Sequence, residues 1–66
     1  MRVTVNGRSC QLEAGSTVGD LLAARGIGGR WVLVERNGEP VARGALATTA
    51  LAEGDRLELV RAVAGG

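Results

Sequence analysis

Two Asn-Gly pairs, Asn6-Gly7 and Asn37-Gly38, constrain this chain more than any other feature. Asn and Gly tolerate positive φ better than other residues, so the pair is a strong short-range signal for a two-residue hairpin turn. Val3 and Val5 alternate with Thr4 before the first pair, and Cys10 and Leu12 resume alternation after it. The second pair follows Trp31-Val32-Leu33-Val34-Glu35-Arg36, and Glu39 to Ala42 return from it. Two hairpins are therefore expected, over residues 2–13 and 31–42.

Between them, residues 16–26 read as a short helix. Thr17 is the expected N-cap, with Asp20 three positions on as a variant of the capping-box Glu. Val18, Leu21 and Leu22, with the aliphatic stem of Arg25, share one face at helical spacing. Gly26 stands where a C-capping glycine belongs. Gly19 weakens the helix, so packing against a sheet must stabilise it. Residues 27–30 form a glycine-rich bend. Residues 44–52 have no clean period and read as a wrapping loop with a short helical turn. Glu53-Gly54-Asp55 is a turn, and Arg56 to Arg61 is a last strand with Leu57 and Leu59 inward and Arg56, Glu58 and Val60 outward.

The order strand, strand, helix, strand, strand, strand predicts an α+β domain in which one helix lies across one face of a mixed five-strand sheet. This is the ubiquitin-like β-grasp order, and by analogy with that fold the first strand lies centrally and pairs in parallel with the last. The expected organisation is a domain over residues 1–61 and a flexible tail over residues 62–66 ending in Gly-Gly.

Composition removes several classes of function. Sixty-six residues hold one thin core, and with no Phe or Tyr it must be filled by Val, Leu, Ile and Ala. The net charge is +1 and the arginines are scattered, so no basic stripe for nucleic acid is present. There is no Lys for a Schiff base and no His, and Cys10 alone can form neither an internal disulfide nor a multi-cysteine metal site. Cys10 reads as a small hydrophobe, and Asn6 and Asn37 as turn residues alone. No signal-peptide pattern or membrane-length apolar run is present, which points to the cytoplasm. The chain is not expected to be an enzyme, and no bound cofactor or metal is expected.

The informative segment is Ala62-Val63-Ala64-Gly65-Gly66. Two residues without Cβ can thread a narrow channel. An extended run from Arg61 to Gly66 reaches about 20 Å at ~3.3 Å per residue, enough to enter another protein's active site. A terminal carboxylate is ionised at neutral pH and a poor electrophile. It must be activated, and an acyl-adenylate made from ATP by a partner is the simplest route.

The chain resembles the ThiS family, the sulfur carriers of thiamin biosynthesis. The resemblance is carried by Val5-Asn6-Gly7, Thr17-Val18-Gly19-Asp20-Leu21-Leu22 and Val32-Leu33-Val34-Glu35-Arg36-Asn37-Gly38. It continues through Leu51-Ala52-Glu53-Gly54-Asp55-Arg56-Leu57-Glu58-Leu59-Val60 and Arg61-Ala62-Val63-Ala64-Gly65-Gly66. The family often has Pro-Arg-Ser and an aromatic residue after the second hairpin, and here only Arg43 is kept. The resemblance implies that a ThiF-like enzyme adenylates the Gly66 carboxylate with ATP and magnesium. A cysteine desulfurase or other persulfide donor supplies sulfur, and the Gly66 thiocarboxylate passes it to a ThiG-like thiazole synthase. Ala62, Val63, Ala64, Gly65 and Gly66 would thread the partners' sites. Trp31, Leu33, Val60 and Arg61 form an expected docking surface, set against the alternative that Trp31 folds over the sheet edge to complete the core. Two alternatives share the fold: the small subunit of molybdopterin synthase or another pathway-specific sulfur carrier, and a non-catalytic binding module indifferent to its tail.

Overall fold

A computed structural model describes residues 1–61, so the expected tail, 62–66, lies outside the described residues. The first hairpin is β1 (Arg2–Val5) and β2 (Arg8–Gln11), closed by Asn6 and Gly7 at φ of 50° and 81°. The helix α1 (Val18–Ala24) follows. The second hairpin is β3 (Val32–Arg36) and β4 (Glu39–Val41), closed by Asn37 and Gly38 at φ of 53° and 86°. Both turns have positive φ at both central residues, as the Asn-Gly pairs predicted. The last strand, β5 (Arg56–Arg61), completes a sheet of order β2-β1-β5-β3-β4. β1 and β5 run parallel and all other neighbours antiparallel. The expected fold is present, with β5 at the exact middle of the sheet and β1 beside it.

The helix is shorter than expected but capped as its sequence indicates. The Asp20 N–H donates to Thr17 Oγ1 at 3.1 Å, and the Thr17 N–H donates to Asp20 Oδ2 at 2.9 Å, a reciprocal capping box. Two further helix-start amides are met by the 43–52 connection. The Val18 N–H donates to the Thr49 carbonyl at 3.0 Å and the Gly19 N–H to the Leu46 carbonyl at 2.8 Å. The same approach accounts for Gly19: a Cβ there would stand 3.1 Å from Ala47 Cα. Thr17→Ala removes one acceptor from a helix of only two turns and should cost about 1 kcal/mol, read as a lower urea midpoint. Arg25 is exposed, so its stem does not extend the apolar face. Ile27 packs against the core in its place.

The core lies between one sheet face and the helix. Val3 and Val5 of β1, Val32 and Val34 of β3 and Leu57 of β5 meet Val18, Leu21 and Leu22 of α1. Leu46 and Leu51 close it from the connection, which contains a single 3-10 turn at Arg43–Ala45. Leu59 and Cys10 are only partly buried at its margin.

Candidate functional site

The tail springs from β5, so whatever positions β5 positions the tail. Three side chains brace that strand. On its β1 side the Asn6 amide meets the Leu59 backbone twice. The Leu59 N–H donates to Asn6 Oδ1 at 2.8 Å, and Asn6 Nδ2 donates to the Leu59 carbonyl at 3.3 Å. On its β3 side, the Asn37 N–H donates to the Arg56 carbonyl at 2.7 Å, and the Arg56 N–H donates back to Asn37 Oδ1 at 2.9 Å. Each Asn therefore does more than turn a hairpin. Its amide stands in for a peptide group and extends a ladder along β5 by one step. Turn geometry alone, the sequence reading for both, is corrected on this point.

The third brace is Asp55, the one buried charged residue among those described. Its two carboxylate oxygens accept three hydrogen bonds, from Arg36 Nε at 2.9 Å, Asn37 Nδ2 at 3.0 Å and the Ala52 N–H at 2.8 Å. Burial pushes this carboxyl up. The bonds from Asn37, Ala52 and Arg36, with the charge of Arg36, outweigh burial and hold it below its ordinary value near 3.8. Asp55 thus locks the 53–55 turn to the second hairpin immediately before β5 begins. Nothing local in Glu53-Gly54-Asp55 announces this, because Arg36 and Asn37 are 19 and 18 residues away.

The expected docking residues separate into three positions. Leu33 and Val60 are direct cross-strand partners on the sheet face opposite the helix, 64% and 58% exposed. Trp31 does not belong to β3. It ends a 3-10 turn, Gly29–Trp31, and is 52% exposed, so it neither joins the strand row nor completes the core. The Arg30 guanidinium lies over its ring at 5.9 Å from the centroid. Arg61 pairs with Val32, whose side chain faces the core, so its register places it on the helix side of the sheet. The alternation Leu57, Leu59, Arg61 carried that signal already. Two residues that the sequence reading left out, Glu35 and Glu58, are cross-strand partners beside the Leu33–Val60 pair.

Gly66 and the threading residues Ala62 to Gly65 lie outside the described residues. Among the described residues, no group of three or more His, Cys, Asp or Glu could hold a metal, and no helix is long and apolar enough to cross a membrane. The groove beside β4, about 390 Å³, is lined by Arg36, Glu39 and Thr49 among others. The Thr49 hydroxyl there donates to the Ala45 carbonyl at 2.7 Å.

Comparison with known proteins decides the family. The ThiS family profile matches residues 3–66. The chain belongs to the ThiS family. That is the family its strands and turns resembled. A thiamine biosynthesis protein (ThiS) from Geobacter metallireducens has a crystal structure that superimposes with a TM-score of 0.84, at 33% identity over 100% of both chains. The crystal structure of SAMP1 from Haloferax volcanii matches with a TM-score of 0.59 and 28% identity, covering 98% of this chain and 97% of that one. A thiazole synthase from Paramagnetospirillum magneticum is 39% identical over all 66 residues. The chain spans only 20% of that relative's length.

Proposed function

We propose that this chain carries sulfur as a thiocarboxylate on Gly66 for thiazole formation in thiamin biosynthesis. The observation that carries the proposal is the extent of the family match, which runs from Val3 through Gly66 and so includes the diglycine. The described body supports it: the strand leading to the tail is central and braced on both sides.

The activation steps belong to a ThiF-like partner using ATP and magnesium. A Gly66 carboxylate oxygen attacks the α-phosphorus of ATP and pyrophosphate leaves. The terminal sulfur of a persulfide donor, such as a cysteine desulfurase, then attacks the carbonyl carbon and AMP leaves. A second thiol reduces the resulting acyl disulfide, leaving the thiocarboxylate and a disulfide on the donor side. Residues 62–66 deliver that group, and Leu33, Val60 and Trp31 offer the apolar contact through which the body docks. Arg61 stands at the root of the tail on the other sheet face. Similarity to a thiamine biosynthesis protein and to a thiazole synthase favours a ThiG-like acceptor over a molybdopterin synthase.

Incubation with ATP, magnesium, a ThiF-like enzyme and a persulfide donor should raise the intact mass by the difference between one sulfur and one oxygen. The gain should vanish when ATP is omitted and should map to the peptide containing Gly66. An unchanged mass under conditions that load the Geobacter protein would overturn the reading.

A further inference from the structure

The two edges of the sheet are built differently. β4 has three residues, and the Arg36–Glu39 pair that closes its hairpin leaves Pro40 at the next position, where the backbone nitrogen faces outward. A proline there presents no N–H, so that edge is blunted against a further strand. β2 is the other edge, and Arg8-Ser9-Cys10-Gln11 contains no proline, no glycine and no acid. Next to it, Met1 and Leu12 exchange both backbone bonds. The Leu12 N–H donates to the Met1 carbonyl at 2.8 Å and the Met1 amine to the Leu12 carbonyl at 2.6 Å. Bonded and non-bonded positions alternate along an antiparallel pair. Arg8 and Cys10 therefore bond inward to β1, while the N–H and C=O of Ser9 and Gln11 point out of the sheet. Both residues are exposed, and the Gln11 carbonyl meets the weak Cys10 thiol donor at 3.9 Å. The outward groups thus stand symmetrically about Cys10, one residue to each side.

We propose that β2 pairs antiparallel with β2 of a second copy of this chain, about a two-fold axis beside Cys10. Ser9 of each copy then faces Gln11 of the other, and each such pair exchanges two backbone bonds, so every outward group of both strands is used. A register centred on Ser9 would set Gln11 against Gly7, which lies in the turn at φ of 81°. One centred on Gln11 would set Ser9 against Glu13, beyond the end of the strand. The self-complementary spacing about Cys10 is what makes a second copy the occupant. Side chains agree with it. Arg8 falls opposite Leu12, so no like charges are directly opposed. Cys10 faces the helix side, as its β1 partner Val3 is buried, and Cys10 and Leu12 are half-buried at the margin of the core. Pairing covers both, with the Arg8 stem lying over Leu12. The two β5 strands come to lie five strand spacings apart, about 24 Å at ~4.8 Å each, and run in opposite directions. The dimer therefore presents two β5 ends pointing away from each other, and pairing obstructs neither.

A few exposed strand bonds make a weak pair, so sedimentation equilibrium of the full chain under reducing conditions should show monomer at ~10 µM and a growing dimer fraction toward ~1 mM. Over that range the Ser9 and Gln11 amide signals should shift and exchange hydrogen more slowly, while those of Glu39 and Val41 on the blunted edge stay fixed. Gln11→Pro deletes one outward N–H and no bond to β1, so its circular dichroism melt should hold while the dimer weakens about tenfold. Cys10 reports the register. Non-bonded antiparallel partners have Cα atoms about 4.5 Å apart, within disulfide range. Diamide, reduced as it takes the two thiol hydrogens, should join Cys10 of the two copies, and Gln11→Pro should cross-link about tenfold more slowly. A wild type still monomeric at ~1 mM would leave this edge to a strand from a different protein and overturn the inference. A dimer whose Ser9 and Gln11 amides do not respond, or a folded Gln11→Pro that pairs as the wild type does, would also overturn it. Should Gln11→Pro fail to fold, the amide measurements on the wild type decide.

Discussion

Asp55→Ala should leave this protein largely unfolded at room temperature. The substitution removes both oxygens that accept from Arg36, Asn37 and the Ala52 N–H. Loss of a buried, hydrogen-bonded acceptor of this kind costs about 2–4 kcal/mol, because its donors lose their partner without regaining full hydration. A domain of this size has roughly 3–5 kcal/mol to lose. Asp55→Asn should restore part of the loss, since its amide oxygen can still accept from Arg36 and Ala52 while its nitrogen faces the Asn37 donor. Circular dichroism and urea melts give the readout. The wild type should show the same dependence through pH. The folded-state carboxyl titrates below its ordinary value, so its contribution is complete above about pH 4 and is lost as the pH falls through 3.8 toward the lower folded value. The urea midpoint of the wild type should drop over that interval, and Asp55→Asn should drop less. A variant as stable as the wild type, with the same acid limb, would show that the hub does not hold the turn to β5.

Asp55 also marks where the fold stopped being legible from sequence. Features that depend on neighbours in the chain were readable. Asn-Gly set both hairpins, Thr17 and Asp20 set the helix start, and alternation set which of Arg56, Leu57 and Glu58 face the core. Features that depend on distant partners were not. Glu53-Gly54-Asp55 has the composition of a solvated turn, and only the second hairpin folding beside it turns Asp55 into a buried acceptor. Asn6 and Asn37 were identified for their backbone angles, while their amide contacts to β5 required the sheet order. Trp31 was counted into the strand because the apolar run is continuous, yet the glycines before it allow a 3-10 turn to end on it. Arg61 is the opposite case: its face was present in the alternation and was passed over for its proximity to the tail.

Removal of Gly65 and Gly66 should give the reverse pattern to Asp55→Ala. Among the described residues the core runs from Val3 to Leu57, and Leu59, Arg56 and Asp55 are held by Asn6, Asn37, Arg36 and Ala52. The shortened chain should therefore keep its urea midpoint. It should also keep its affinity for the adenylating enzyme through the apolar Leu33–Val60 contact, reduced only by whatever the two glycines contribute. Sulfur loading should fall to the background of the assay, because the end that remains, Ala64, carries a Cβ and stops about 7 Å short of the reacting position at ~3.3 Å per residue. The effect on loading is then expected to exceed that of any substitution on the docking face, since docking errors can be offset by concentration and a carboxylate that stops short of the reacting position cannot. A truncated chain that loads sulfur as the full chain does would place the chemistry elsewhere. One that loses both loading and its urea midpoint would make the diglycine part of the fold, contrary to the division of labour between a braced strand and the segment it presents.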